Sequence, residues 1–371
     1  MNEFGCYIPV EEPDSQGRLH VWQTAIGLQA VDGLKPSEYL LQTANRNIAG
    51  DISIDEAQKL IHSYYESREA RTDKEASEQE ADKVSVNMAK LLGEPSFKLM
   101  PAAITDIHRR LFEGVFRFAG EIRKVDISKK EWVLRGDTVL YTPAPCIEES
   151  LEWDIKQELL FDYDAATMEQ AVEHIGKFIS AIWQIHPFAE GNTRTTAVFL
   201  IKYLRFMGFE VDNMPFVRHS WYFRNALVRA NYRNSKKGIN KNPVFLNRFL
   251  RNLLMGEQHE LKNRFLIIGD GSDEAATEQV TEQVPPVPSQ ELSSQYSTSI
   301  QLLIKGMENQ SYSMKQLMEI CSVKHRPSFI ENYVKPAIEK GIIKLLYEDK
   351  PNHPRQKYLL TIKGMLLHNS R

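Results

Sequence analysis

Nine consecutive residues, His186-Pro187-Phe188-Ala189-Glu190-Gly191-Asn192-Thr193-Arg194, bring together an imidazole, a carboxylate, a carboxamide and a guanidinium. A positioned imidazole can take a proton from a hydroxyl near neutral pH. A carboxylate can hold a hard divalent cation. A helix start beside a guanidinium favours an anion the size of a phosphate. Two apolar helices must hold this set. Upstream, residues 171–185 (AVEHIGKFISAIWQI) carry apolar side chains at helical spacing, and downstream residues 193–209 (TRTTAVFLIKYLRFMGF) do the same. Pro187, Gly191 and Asn192 interrupt the pattern, with Asn192 expected as the N-cap of the second helix. Taken singly, a histidine at a helix end is usually structural, Asn and Gly at a boundary are ordinary capping residues, and Phe188 is core. Taken together, four polar groups pinned between apolar helices are poor packing material, the kind of local inconsistency that marks functional sites.

The stretch resembles the H-P-F-x-[D/E]-G-N-x-R signature of Fic-domain proteins. The similarity runs over roughly residues 80–260 and includes Ile107 to Glu113 (IHRRLFE) and Ala119 to Arg123 (AGEIR). The resemblance implies a protein AMP-transferase that moves AMP from ATP to a Ser, Thr or Tyr hydroxyl of a target protein or of itself. It implies His186 as general base and Glu190 as the ligand of a Mg²⁺ bridging the α- and β-phosphates. Gly191, Asn192, Thr193, Arg194 and Thr195 would hold the phosphates, and Phe188 would anchor the loop. A weak hydroxyl nucleophile, a base, and charge stabilisation of the phosphates are what such chemistry requires.

Two positions depart from the family's G-N-G-R-x-x-R: the second Gly is Thr193 and the last Arg is Ala197. Thr193 keeps its amide and adds a hydroxyl, so the anion site is expected to survive. The related phage death-on-curing toxins also lack Gly there and phosphorylate their target, which keeps a kinase open. Ala197 removes a cation that in the family meets the γ-phosphate or an inhibitory Glu. The family's inhibitory helix, [S/T]-x-x-x-E-[G/N], is also missing: no Glu in the chain has Ser or Thr four positions earlier. The expectation is an enzyme without the usual Glu brake, active or restrained otherwise.

A chain of 371 residues suggests two or three domains, and 42% hydrophobic residues is ordinary for a globular protein. The net charge of −3 gives no overall pull toward nucleic acid or membrane. Cys6, Cys146 and Cys321 are too widely spaced for a metal site and suit a reducing compartment. The start, MNEFGCYIPVEEP, lacks a signal-peptide pattern, and no apolar run reaches the length of a membrane span, so a cytoplasmic protein is expected.

The expected architecture is mainly α: an N-terminal helical extension (1–82), a Fic-type helical core with a β-hairpin flap (83–268), a linker (269–296) and a winged-helix-like domain (297–371). Pro36, Gly50 and Ser53 punctuate short helices in residues 20–66, a pair resembling the antitoxin-like module of some Fic proteins, with a plain packing extension of the core as the alternative. The charge run 66–82 reads as a solvated helix or loop. Residues 120–142 read as a hairpin around Gly136-Asp137. In the family it is the flap on which a target segment docks by strand addition, placing Ser128, Lys129, Lys130, Glu131 and Trp132 near nucleotide and target. By the same resemblance, Phe223, Arg224 and Asn231 occupy the adenine-pocket positions, Arg224 replacing an aromatic residue.

Residues 270–296 are polar and acidic. The segment 297–371 reads as three helices and two strands and carries nine Lys and three Arg against five Glu and one Asp, a net charge of +6. Such a tail can bind DNA through phosphates, or dock proteins or a second copy of the chain; docking is preferred. A DNA-binding regulator with a nucleotide-sensing core is the alternative of a different class.

Overall fold

The computed structural model describes residues 13–67, 72–209, 211, 214–269, 296–307, 311–346, 356–361 and 364. The N-terminal start with Cys6, the linker 270–295, part of the charge run (68–71) and the Pro/Asn/His turn of the tail lie outside the described residues. The chain forms two compact units, Met1–Pro36 with Asn47–Gln279, and Ser37–Arg46 with Val280–Arg371. The structure is mainly α, with one small antiparallel β element.

Among the described residues the first unit is built mainly of helices. Its elements are α1 (Ser15–Gly27), α3 (Ile54–Glu66), α4 (Asp73–Gly93), α5 (Pro101–Phe112), α6 (Ile147–Leu159), α7 (Met168–Ile185), α8 (Asn192–Phe206), α9 (Met214–Asn231) and α10 (Val244–Met255). Several helix starts are chemically specified. Ser53, Thr72 and Thr167 each form a capping box with Glu56, Glu75 and Gln170, satisfying two orphan amides reciprocally. Met100 caps α5 without a side-chain bond, and Pro101 begins the helix where its missing N–H costs nothing. α4 runs unbroken across residue 82.

Helix α8 is the axis of this unit, buried from Asn192 to Leu204 and packed against α4, α5 and α7. Two cations at its far end close the C-terminus of α4: Lys202 Nζ donates to the carbonyls of Leu91 (3.0 Å) and Glu94 (2.8 Å), and Arg205 Nη1 donates to Leu92 O (2.8 Å). These carbonyls are helix-end acceptors that have no intrahelical donor.

Helix α2 (Glu38–Ala49) begins at Glu38, just after Pro36, and ends before Gly50, which takes φ +88. Its residues Ser37–Arg46 group with the C-terminal unit. That unit contains the helix Thr298–Gly306, strand β1 (Tyr312–Ser313), the helix Met314–Ile320 and a helical stretch running from Arg326 to Glu339. Strands β2 (Ile343–Leu345) and β3 (Lys357–Leu360) follow, and the sheet order is β1-β3-β2, all antiparallel. The helical stretch loosens into a π turn at Ile330–Val334, just before Pro336, whose ring nitrogen cannot donate to the preceding turn.

The expected hairpin at 120–142 is not a strand pair. The segment reverses through a 3₁₀ turn at Trp132–Leu134, closed by Glu131 N–H to Asp137 O (2.8 Å) and Gly136 N–H to Glu131 O (3.0 Å). Val133 and Leu134 both turn into the core, which a period-two strand does not allow.

Candidate functional site

The loop between α7 and α8 is held by three side chains. Asn192 is the first residue of α8 rather than its N-cap; Gly191 takes the cap position at φ +78. The Asn192 side chain turns back instead, accepting from Phe188 N–H (2.9 Å) and donating to Phe188 O (2.8 Å). His108 on α5 stacks on Phe188 at 3.7 Å. Its Nδ1 accepts from Gly120 N–H (2.8 Å), so its Nε2 carries the proton and donates to Glu190 O (3.1 Å). Arg123 is buried and spends its guanidinium on carbonyls: His186 O (2.8 Å), Val125 O (2.8 Å) and Thr142 O. Its own N–H donates to Pro187 O (2.9 Å). These bonds hold His186 in the left-handed region at φ +51, a conformation that costs a non-glycine residue about 1–3 kcal/mol.

The His186 ring is fixed in tautomer and plane. Nδ1 faces the Trp183 carbonyl at 3.2 Å, so Nδ1 carries the hydrogen and Nε2 is left as the acceptor. Tyr141 stacks on the ring at 4.0 Å and Trp183 meets it edge-on at 5.2 Å. Burial pushes the imidazole down to about 3, with Lys129, Arg123 and Arg224 adding in the same direction. His186 is therefore neutral at physiological pH.

A small cavity opens beside it, lined by Asp32, Lys129, Glu131, His186, Glu190 and Arg224, with Trp183 and the helix start Gly191-Asn192-Thr193. Its free volume is about 10 Å³, room for one water molecule and not for a nucleotide. Thr193 Oγ1 accepts from Trp183 Nε1 (3.0 Å). Arg224 forms a buried ion pair with Glu131 (2.8 Å) and lies over the Trp221 ring. The Glu190 side chain is 60% exposed, with Lys129 Nζ 4.0 Å from its carboxylate.

Arg194 does not face this cavity. Its guanidinium is 2% exposed, sits 4.9 Å above the Phe112 ring and is paired with Asp32 (2.8 Å) and Glu80 (2.7 Å); Gln29 Oε1 accepts from its Nη1 (3.2 Å). Its charge is already neutralised by two carboxylates from the N-terminal region. Thr195 bonds back to Gly191 O (2.9 Å).

Other expected site residues disperse. Phe223 packs in an aromatic cluster with Phe216 (5.1 Å) and Phe249 (5.0 Å), and so belongs to the core and not to a base pocket. Asn231 donates to Ser180 O (3.0 Å) and Leu227 O (3.0 Å) and lines a separate groove with Gln184 and Lys241. Of the flap residues, Lys129 and Glu131 line the cavity, Ser128 and Lys130 are exposed, and Trp132 is half-buried.

Sequence reasoning missed Asp32, Glu80, Gln29, His108, Arg123 and Tyr141. Glu80 sat in a charge run read as solvated. Arg123 and His108 lay inside segments quoted for the resemblance without a role. Asp32-Gly33 carried no signal of its own, because its partner Arg194 is 162 positions away.

A magnesium ion fits the donor set only in company. Among the described residues no group of three His, Cys, Asp or Glu could hold a metal. One solvent-facing carboxylate, Glu190, is what an ion completed by phosphate oxygens needs.

The two buried histidines make stability depend on pH. Burial lowers His108 to about 4 and His186 to about 3, both below the ordinary 6.5. Between pH 6.5 and about 4 the unfolded chain binds protons that the folded chain refuses, so stability falls with falling pH. Unfolding titrations are expected to show a loss on the order of 2–4 kcal/mol between pH 7.5 and 5. A flat profile would contradict the burial of both rings in neutral form.

Residues 98–204 match the profile of the Fic/DOC family, and residues 298–361 match that of the C-terminal domain of Fic-like proteins (filamentation induced by cAMP). The chain is 32% identical over 106 residues to "Protein adenylyltransferase VbhT" of Bartonella schoenbuchensis, covering 29% of this chain and 21% of that protein. It is 31% identical over 131 residues to "Probable protein adenylyltransferase y4lH" of Sinorhizobium fredii, covering 33% of this chain and 61% of that one. The aligned stretch thus spans less than two thirds of either relative. A crystal structure of a Fic family protein from Desulfovibrio desulfuricans G20 aligns at 15% identity and a TM-score of 0.37, over 91% of this chain and 87% of that one. Residues 98–204 thus form a Fic/DOC-type region and residues 298–361 a Fic-like C-terminal region, and the chain is similar in part to protein adenylyltransferases. No helix among the described residues is long and apolar enough to cross a membrane.

Proposed function

We propose that this protein is an adenylyltransferase that moves AMP from ATP to a hydroxyl side chain of a target protein or of itself. The observation that carries the reading is the state of His186: a neutral ring, fixed by Trp183 O, with Nε2 as its only acceptor and lining the cavity next to Glu190 and the α8 start. The target hydroxyl oxygen bonds to the α-phosphorus, the bond from that phosphorus to the bridging oxygen breaks, and pyrophosphate leaves. The hydroxyl proton passes to His186 Nε2. The low proton affinity of this ring in the empty cavity rises when phosphate charge arrives beside it, because a nearby anion favours the imidazolium. The helix start Gly191-Asn192-Thr193 lines the cavity, and its N–H groups would favour the phosphates. Glu190 would hold a magnesium ion that arrives with the nucleotide; when bound, the ion supplies positive charge at the phosphates.

The same geometry supports a restraint. Asp32 and Glu80 hold Arg194, and Asp32 also lines the cavity, so the phosphate side is closed by acidic groups of the N-terminal region. Of the two expectations, an active enzyme or one restrained otherwise, this arrangement supports restraint by a different acid. The C-terminal unit is compatible with a winged helix in its element order, and its long helical stretch with the residue that caps it, Lys340, mixes exposed Arg326, Lys335 and Lys340 with Glu331 and Glu339. Lys335 is paired with Glu331. That mixture favours protein docking over duplex binding.

The test is incubation with Mg²⁺ and ATP labelled at the α- or γ-phosphate, for wild type and Asp32→Ala. Label is expected from the α position, and faster in Asp32→Ala by about tenfold, the factor that 1.4 kcal/mol of restraint represents. Label from the γ position alone would make the protein a kinase. No label with either variant, alone or with cell lysate, would leave a nucleotide sensor.

A further inference from the structure

The cavity beside His186 has two cations among its lining residues, Lys129 and Arg224. Arg224 is buried and committed to Glu131 at 2.8 Å. Arg194 lies behind the cavity wall, committed to Asp32 and Glu80. Position 197, one turn further along α8, is a fully buried alanine. Lys129 is different on each count. Its side chain is 43% exposed, it lines the cavity, and its ion-pair partner is Glu190 at 4.0 Å, the outer limit of an ion pair. Its backbone is fixed, with Lys129 N–H donating to Thr138 Oγ1 (3.3 Å) across the flap turn. Among the charged neighbours that depress the His186 imidazole, Lys129 is the strongest.

We infer that Lys129 is the catalytic cation of this site, contacting the phosphates of the bound nucleotide in place of arginines that this chain has tied up or lost. The inference rests on the nucleotide-transfer reading above. The cavity as it stands admits one water, so a bound triphosphate must widen it; its negative oxygens then meet a site whose other basic group, Arg224, is already paired, and the half-exposed Lys129 side chain is the cation available to them. As the bond from the α-phosphorus to the bridging oxygen breaks, negative charge builds on the departing pyrophosphate, and a cation placed there stabilises the transition state more than the bound nucleotide. Lysine also withdraws positive charge from the imidazole when it turns to phosphate, which raises the proton affinity of Nε2 during the step in which it must accept.

The test compares wild type, Lys129→Met and Lys129→Arg, each checked for an unchanged thermal melt, which the exposed side chain permits. ATP binding with Mg²⁺ is measured by calorimetry, and transfer from α-labelled ATP at saturating nucleotide. Lys129→Met is expected to bind ATP about tenfold more weakly, the scale of one charge-assisted hydrogen bond. It is expected to lose roughly 10²-fold in kcat, as when one stabilising donor is removed from a transition state. Lys129→Arg restores most of both. If Lys129→Met binds and transfers like wild type, the assignment of Lys129 fails and the transferase reading stands. If wild type binds ATP but transfers nothing while Lys129→Met loses binding, the transferase reading fails and the phosphate contact stands. If wild type binds no nucleotide, both fall.

Discussion

Replacing His186 with alanine is expected to lower the rate of AMP transfer by about 10²–10⁴-fold, the usual worth of a positioned general base. The effect follows from geometry: Nδ1 is committed to Trp183 O, so Nε2 is the ring's one remaining acceptor, and it stands at the cavity where the hydroxyl must arrive. ATP binding should change little, because the imidazole faces the hydroxyl and not the phosphates. Stability is expected to hold or rise slightly at pH 5, since the variant no longer refuses a proton that the unfolded chain accepts. Single-turnover transfer, calorimetric ATP binding and a thermal melt measured together check all three. A variant that keeps more than roughly a third of wild-type turnover would remove His186 from the role of base.

Gly191→Ala is expected to be the most damaging single methyl in the motif. Gly191 has φ +78, and a Cβ there would stand 2.3 Å from Cζ and 2.4 Å from Cε2 of the Phe112 ring. Phe112 cannot retreat easily: it is fully buried, it stacks on Phe116 at 4.9 Å, and it carries the Arg194 guanidinium on its face. A left-handed alanine costs about 1–2 kcal/mol and overpacking about 1–3 more, so a loss of about 2–5 kcal/mol is expected in urea unfolding. Gly136→Ala and Gly208→Ala serve as controls. Both have positive φ but open space where the Cβ would go, so they should show the conformational part alone. Equal losses at all three sites would mean that the Phe112 contact relaxes freely.

Much of the helical frame was legible. Capping residues such as Ser53, the periodic faces of residues 171–185 and 193–209, and Gly50 as a helix stop are local signals, and local hydrogen bonding honours them. The misreadings share one physical origin. The flap looked like a hairpin because its β-branched residues are adjacent in sequence, yet Val133 and Leu134 are drawn into the core together and force a 3₁₀ turn. The position of Phe223 along its helix suggests a base pocket, but three-dimensional packing turns its face to Phe216 and Phe249. Asn192 was read as a cap because Asn commonly caps; Gly191, able to take positive φ, holds that position and frees the carboxamide to tie Phe188.

The sequence by itself determined the chemical inventory: an imidazole, a carboxylate and a helix start within nine residues, between two helices whose apolar spacing buries them. Spacing along one loop is enough for that, because covalent connection fixes which groups are near. Only the tertiary structure decided the electrical state of the site. His186 is neutral because the fold buries it, Arg194 is neutralised because Asp32 and Glu80 arrive from 162 and 114 positions away, and of the two cations lining the cavity Arg224 is paired with Glu131 while the Lys129 side chain is half-exposed. Charge and desolvation depend on which groups lie within a few ångströms, and for distant segments nothing short of the folded chain sets those distances.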